Sequence, residues 1–247
     1  MNLREPLFPG KLLRRYKRFF ADIELPSGEI ITAHCANSGS MKGLSQEGAE
    51  VLLSDSANPK RKLRFTWELI KVDQTWVCVN TLVPNRLMKQ ALIGRQIAEL
   101  SQYDQVKPEA KWGEGVRFDF FLESAGLPAC FVEVKSVTLS EGELALFPDA
   151  VTARGAKHLT ELIEVVRQGM RGVIFFLVNR NDCQEFAPAQ EIDPHYAAML
   201  RAALDAGVEA LVYRAHIQPP EINIDCKILF AANWRSYEKR RRSSNFP

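Results

Sequence analysis

The 247-residue chain has no pair of cysteines at metal-binding spacing. Cys35, Cys78, Cys130, Cys183 and Cys226 stand alone, with the nearest two 43 residues apart. The absence of CxxC removes sequence support for a thiolate zinc site. An odd scatter of single thiols fits a reducing cytoplasm, with the thiols buried or half-buried. No apolar run approaches the roughly 18 residues of a helical membrane span, so no membrane partner is expected. The segment MNLREPLFPGKLLRRYKRFF lacks the apolar stretch and small-residue cleavage site of a secretory signal. Glu5 and two prolines in it argue against a transit peptide, and a cytoplasmic location is expected. GxxxxGK[ST], GxSxG and HExxH are also missing, which leaves P-loop, serine-hydrolase and zincin chemistry without their motifs.

An excess of charge is lacking too: 32 basic against 30 acidic residues leave a net +2. The distribution is more telling. Residues 11–18, KLLRRYKR, hold five basic groups and no acid, and residues 58–64, NPKRKLR, hold four and no acid. Residues 235–242, RSYEKRRR, hold five with one acid. Such clusters are the electrostatic footprint of a polyanion binder. Arg14, Arg15, Lys17, Arg18, Lys60, Arg61 and Lys62 are the candidate nucleic-acid contacts, with Tyr16, Phe19, Phe65 and Trp67 as stacking platforms. The expected partner is DNA, with RNA as the alternative. The oligomeric state stays open, a dimer among the options.

Apolar residues at 46% and charged residues at 25% are the balance of an ordinary globular protein. The first third reads as β: FFADIEL, EIITAHCA, AEVLLSDS, RFTWELIKV and TWVCVNTLV are short β-rich segments separated by turn residues. Five such strands suggest a small barrel of the oligonucleotide-binding (OB) type. Pro84-Asn85 breaks the pattern and opens a helix, NRLMKQALIGRQIAEL, with Asn85 as its cap. The rest alternates β and α. VRFDFFLE and CFVEVKSVTL read as strands, and VTARGAKHLTELIEVVRQ as a helix that Gly169 ends. GVIFFLV reads as a buried strand, and a second helix starts at Asp193-Pro194. The expected class is α/β (α+β), divided as a barrel over 1–83, a mixed α/β domain over 84–232 and a basic, disordered tail over 233–247.

Period-two alternation puts Asp119 with Arg117 and Phe121 on one face of the first strand, and Phe118, Phe120 and Leu122 on the other. Glu133 shares a face with Phe131 and Lys135. Folding the hairpin symmetrically about Gly126 sets Asp119 opposite Glu133 and Arg117 opposite Lys135; a one-residue slip would undo this. Facing carboxylates repel unless a proton or cation resolves them. Mg²⁺ or Mn²⁺ is the natural resolution, with Asp119 and Glu133 as the metal ligands. Lys135 then stabilises charge developing on a phosphate. Glu109 lies near enough in sequence to join the pair. Arg154, Lys157 and His158 open the following helix, a plausible phosphate site.

These residues carry a resemblance. The order Asp119, Glu133-Val134-Lys135 and a basic helix resembles the PD-(D/E)xK nuclease superfamily. More specifically, the chain resembles the sugar fermentation stimulation protein A family. RRYKRF (14–19), HCANSGSM (34–41), NPKRKLRFTWE (58–68) and VNTLVPN (79–85) carry that match in the first part. RFDF (117–120), FVEVKSVTL (131–139), FPDAVTARGAKHLTEL (147–162) and IDPHYA (192–197) carry it in the second. The resemblance implies an OB-like domain, a restriction-endonuclease-like domain and DNA binding. It makes Asp119 and Glu133 metal ligands, Lys135 the catalytic lysine and Glu109 an auxiliary acid. Val116 and Ser136 depart from the pattern, and the tail extends beyond it. Two functions follow: a metal-dependent nuclease, or a non-catalytic, sequence-nonspecific DNA-binding regulator linked to sugar (maltose) metabolism.

Overall fold

The structure, a computed structural model, describes residues 1–113, 115–232 and 234. Six strands open the chain: β1 (Leu7–Tyr16), β2 (Phe20–Glu24), β3 (Ile30–Cys35), β4 (Glu50–Asp55), β5 (Phe65–Val72) and β6 (Thr75–Cys78). They run in the order β3-β2-β1-β4-β5-β6, and a parallel β3–β5 pairing closes the first five into a barrel. The expected barrel is present, but one of its strands differs from the expected set. The cluster KLLRRYKR falls largely on β1, whose charges hide its periodicity: within it only Leu12 is fully buried, while Lys11 and Arg14 face solvent. The last of the five expected strands, β6, pairs with β5 outside the closed barrel.

The second part begins with α1 (Val83–Ile93), a short 3₁₀ turn at Ala98–Leu100, β7 (Gln105–Trp112), β8 (Val116–Glu123) and β9 (Cys130–Val137). There follow β10 (Leu139–Glu141), β11 (Leu144–Phe147), α2 (Ala153–Arg167), β12 (Arg171–Val178), β13 (Glu185–Pro188) and α3 (Pro194–Asp205). Then come β14 (Glu209–Gln218), β15 (Glu221–Lys227) and β16 (Leu229–Phe230). The main sheet has the order β15-β14-β12-β9-β8-β7. Its centre, β9-β12-β14, is parallel and its outer pairings are antiparallel. A parallel centre must be covered on both faces, and β12 shows the result. Val173, Phe175 and Leu177 pack towards α1 with Leu87 and Met88. Ile174, Phe176 and Val178 pack towards α2 and α3 with Leu159, Leu162 and Leu200.

The helix starts follow their caps. Thr152 Oγ1 accepts from Gly155 N at 3.0 Å, and Asp193 Oδ1 accepts from Tyr196 N at 2.9 Å. Asp193 Oδ2 also accepts from Thr152 N at 2.8 Å, so one buried carboxylate ties the starts of α2 and α3 together. A Cβ on Gly155 would stand 2.8 Å from Thr152 Cγ2 and 3.1 Å from Tyr196 Cε2, so the close approach of the two helices needs glycine. In α1 Pro84 takes a first-turn position, and Asn85 lies inside the helix and does not cap it.

The two parts share a core. Leu69 of the barrel strand β5 and Cys78 of β6 pack with Val83, Leu87, Phe175 and Leu3. Cys78 N donates to Asn179 O at 3.0 Å. Cys35, Cys78, Cys130 and Cys183 are buried free thiols and Cys226 is half-buried, as expected.

Candidate active site and nucleic-acid surface

The β8–β9 hairpin takes the register expected about Gly126: Phe120 pairs with Val132, Phe121 with Phe131 and Leu122 with Cys130. The ladder stops one step short of Asp119 and Glu133. There the Asp119 carboxylate takes the place of main-chain pairing, its Oδ2 accepting from Val134 N at 2.7 Å. The expected faces of β8 are corrected at this residue. Phe120 and Leu122 pack towards α1, but Phe118 packs towards α2 with Phe131, so the strand changes face at Asp119. The expected Arg117–Lys135 pair does not form. Arg117 pairs instead with Lys111 of β7 and its Nη1 donates to Glu109 at 3.4 Å.

Glu109 falls between the pairs Pro108–Phe120 and Ala110–Phe118, and so lies across from Asp119 on the other edge of β8. Its backbone is left-handed, φ 55°, uncommon for a non-glycine residue and a mark of local strain. Glu109 is exposed and lines one cavity with Asp119 and Arg154.

Glu133 projects from β9 towards α2 and is 4% exposed. Its Oε1 accepts from Lys135 Nζ at 2.6 Å and is in close contact with His158 Nδ1. Its Oε2 is buried and has no hydrogen-bond partner. Burial works to raise the Glu133 carboxyl, but His158 and Lys135 outweigh it and leave a net lowering. Asp119 goes the other way. Burial first, and the Glu133 charge second, push it up to about 6 against the bonds from Val134 N and Asn85. His158, buried on α2, sits edge-on to the Phe118 ring at 6.1 Å, and Arg154 Nε approaches its Nε2 at 3.5 Å.

Asp119, Glu133, Lys135 and His158 therefore come together, with Glu109 and Arg154 on the Asp119 side. Lys157 is exposed on α2. Two further residues belong here. Asn85 Nδ2 donates to Asp119 Oδ1 at 2.6 Å, a role that its place after Pro84 concealed. Tyr196 is fully buried, and its hydroxyl has no partner. Burial, followed by the Glu133 and Asp193 charges, holds it well above the usual phenol range. Its only sequence signal was the block IDPHYA.

Do these residues suit a divalent cation? A buried carboxylate oxygen without a partner, beside a second carboxylate raised by burial first and by the Glu133 charge second, is a pair of hard oxygen donors of the kind a divalent cation takes. Among the described residues no group of three or more His, Cys, Asp and Glu side chains is placed to hold a metal ion. Mg²⁺-type sites use one or two carboxylates and fill the remaining positions with water and phosphate oxygens.

The second surface lies on the barrel. Lys17 and Arg18 form the β1–β2 turn, and Lys60, Arg61 and Lys62 the β4–β5 loop, all exposed. The fold brings the two together. Phe20 of β2 pairs with His34 of β3, which pairs with Thr66 of β5, and Arg61 Nη1 donates to Thr66 Oγ1 at 3.2 Å. Tyr16 stacks on Phe20 at 5.5 Å with 16° between the rings, Arg14 lies over Tyr16, and Phe19 is 47% exposed. Phe65 and Trp67 are not platforms: both lie in the barrel core, and Trp67 Nε1 donates to Leu69 O. Arg15 turns inward, donating to Asn37 O at 2.8 Å and Gly39 O at 2.9 Å. It braces the loop 37–41, whose Met41 N donates to Asp149 Oδ2 at 2.8 Å. The basic cluster 235–242 and the expected tail, apart from Trp234, lie outside the described residues. Among the described residues no helix is long and apolar enough to cross a membrane.

Residues 13–79 match the family model described as SfsA N-terminal OB domain, and residues 82–221 match the sugar fermentation stimulation protein RE domain. A sugar fermentation stimulation protein homolog of Geobacter sulfurreducens is 55% identical over 91% of this chain and 96% of its own length. One from Geotalea uraniireducens is 54% identical over 92% of this chain and 98% of its own. Among solved structures, Pyrococcus furiosus SfsA in complex with Ca²⁺ aligns with a TM-score of 0.86 at 28% identity, covering 94% of this chain and 98% of that one. The chain belongs to the sugar fermentation stimulation protein family.

Proposed function

We propose that this protein binds DNA and hydrolyses phosphodiesters in it, with Mg²⁺ or Mn²⁺ held by Asp119 and Glu133. The observation that carries the proposal is the buried, unpartnered Glu133 Oε2 beside Asp119 and Lys135. A related structure at 28% identity is described as a Ca²⁺ complex, which supports a divalent-cation site in the same fold. When bound, the cation supplies a Lewis acid for a phosphoryl oxygen and lowers the pKa of a bound water.

The chain's own residues do the rest. Lys135, held by Glu133 at 2.6 Å, places an ammonium where charge accumulates on the phosphoryl group. His158 Nδ1 lies against the same Glu133 oxygen from α2. Asn85 and Val134 N orient Asp119. Arg154, Lys111 and Arg117 line the open side of Asp119 and attract the backbone. The barrel's exposed cations add non-specific affinity.

The regulator reading has its own support. The barrel rim with its stacked Tyr16–Phe20 pair would bind a strand whether or not the carboxylate site works. Cleavage separates the two. Purified protein with Mn²⁺ should cut DNA, and Lys135→Ala should lower the rate by roughly 10²–10³ while binding persists. An intact panel of single-stranded, duplex and branched DNA and RNA, or equal cutting by Lys135→Ala, contradicts the enzymatic reading.

A further inference from the structure

We propose that the cavity on the far side of Lys135 receives the terminal nucleoside of a strand, so that the carboxylate site works from a 3′-hydroxyl end. This rests on the phosphodiesterase reading above and names its substrate class.

Two cavities flank the site. The one on the Asp119 side, about 550 Å³, is lined by three cations, Lys111, Arg117 and Arg154, and by two acids, Asp119 and Glu109, the latter accepting from Arg117 Nη1 at 3.4 Å. It suits a polyanionic backbone. The one on the Lys135 side, about 330 Å³, is of another kind. Its charged lining residues are Lys135, already paired with Glu133, and Asp149, an acid. No cation in its lining is left to receive a further phosphate. Its polar lining comes from Asn37, Ser38, Thr81 and Ser136, and its apolar lining includes Phe147. That combination suits a base and a sugar: an apolar face to stack on, and amide and hydroxyl groups for edges and hydroxyls.

The barrel also forms one wall of the cavity. Met41 N and Ser40 Oγ donate to Asp149 at 2.8 and 2.7 Å, and Thr81 Oγ1 donates to Ala36 O at 2.7 Å. Arg15 braces the same loop through Asn37 O and Gly39 O. These bonds tie the barrel loop to the sheet beside the cavity and stand in the way of a strand that would run on between them. Its volume is near the lower end of the roughly 300–1,000 Å³ of small-molecule sites, room for one nucleoside. A strand end without a phosphate is the end that fits, and in ordinary DNA that is the 3′-hydroxyl end. In the step, water oxygen bonds to phosphorus and the bond to the neighbouring nucleotide's 3′ oxygen breaks. That oxygen takes a proton, and a nucleoside 5′-monophosphate leaves.

Two measurements test this. With Mn²⁺, a 5′-labelled linear single strand should shorten stepwise, a 3′-phosphate should slow it at least tenfold, and a covalently closed circle should stay intact. Separately, calorimetric titration with a nucleoside 5′-monophosphate in Mn²⁺ should show binding to the native protein. Ser38→Trp, on an exposed loop position, should weaken it at least tenfold. Opening of the circle as fast as the linear strand, or no monophosphate binding by native protein, overturns the proposal. Monophosphate binding lost in Ser38→Trp without any hydrolysis keeps the pocket and removes the chemistry. Hydrolysis of circles without monophosphate binding keeps the chemistry and removes the pocket.

Discussion

The barrel rim and the carboxylate site both concentrate charge, but they treat it in opposite ways. On the rim the charges stand in water: Arg14 pairs with Asp22 while its side chain is 71% exposed, and Lys17, Arg18, Lys60 and Lys62 are exposed. Exposed pairs of this kind contribute little to stability. They create a potential that a phosphate backbone can find. At the site Glu133 and His158 are buried, with Lys135 half-buried against them. Burying them is expensive, and a buried carboxylate oxygen left without a partner is more so. A fold bears that cost when the arrangement is needed for chemistry. On the proposed function, affinity belongs to the rim and reactivity to the sheet.

Two aspartates sharpen the contrast. Burial works to raise Asp22, but hydrogen bonds from Arg14, Thr32 and Tyr16 outweigh it and leave a net lowering. Its contribution to stability is present above the unfolded carboxylate range and is lost as pH falls through the folded value. Asp119, raised from 3.8 to about 6, has the opposite sign. The folded state holds its proton more tightly, so stability is lost as pH rises from about 4 to about 6, by on the order of 3 kcal/mol. Denaturant titrations without divalent cation should show Asp119→Asn gaining on native protein as pH rises over that interval. Asp22→Asn should lose ground only below it, as pH rises from the lowered folded value of Asp22 to about 4, and stay level above. Parallel behaviour of the two variants would break the comparison.

The rim is tested by salt. Lys17, Arg18, Lys60 and Lys62 replaced together by Ala should weaken DNA binding about tenfold. The salt dependence should flatten by up to about 0.9 for each phosphate no longer neutralised. The cleavage step of bound DNA should be unaffected. An unchanged salt slope would show that DNA does not bind at the rim. Arg15 is left out of that variant because it braces the loop 37–41.

The smallest expected effect is on the helix starts. Asp193→Ala removes the cap of α3 and the acceptor for Thr152 N, and should cost about 1 kcal/mol. Because His158 sits in the second turn of α2, cleavage should fall with it while rim binding holds. Equal loss of binding and cleavage would show that the two regions are not separate.

The hairpin register was legible because Ser124–Pro128 is a turn and Gly126 its centre, so arithmetic alone predicted the Phe120–Val132 step. The closeness of Glu133 and Lys135 was legible because both lie on one face of a regular strand. The turning of Asp119 was not, since a strand that changes face looks in sequence like one that does not. Asn85 was obscured by Pro84, which signals a helix start and makes the next polar residue look like a cap. Trp67 and Phe65 misled because β5 is buried along most of its length, so aromatic residues beside a basic loop were core and not surface. β1 was missed for the converse reason: its charges lie on the outward face of a real strand.

The most direct test of the central claim is a calorimetric titration of Mn²⁺ into native protein and Glu133→Gln without nucleic acid. Gln keeps the shape and removes the anionic oxygen that has no protein partner. Binding by native protein, with loss in Glu133→Gln of at least tenfold in affinity, is the predicted result. Equal binding by both, or none by native protein, would contradict the assignment of Asp119 and Glu133 as the cation site.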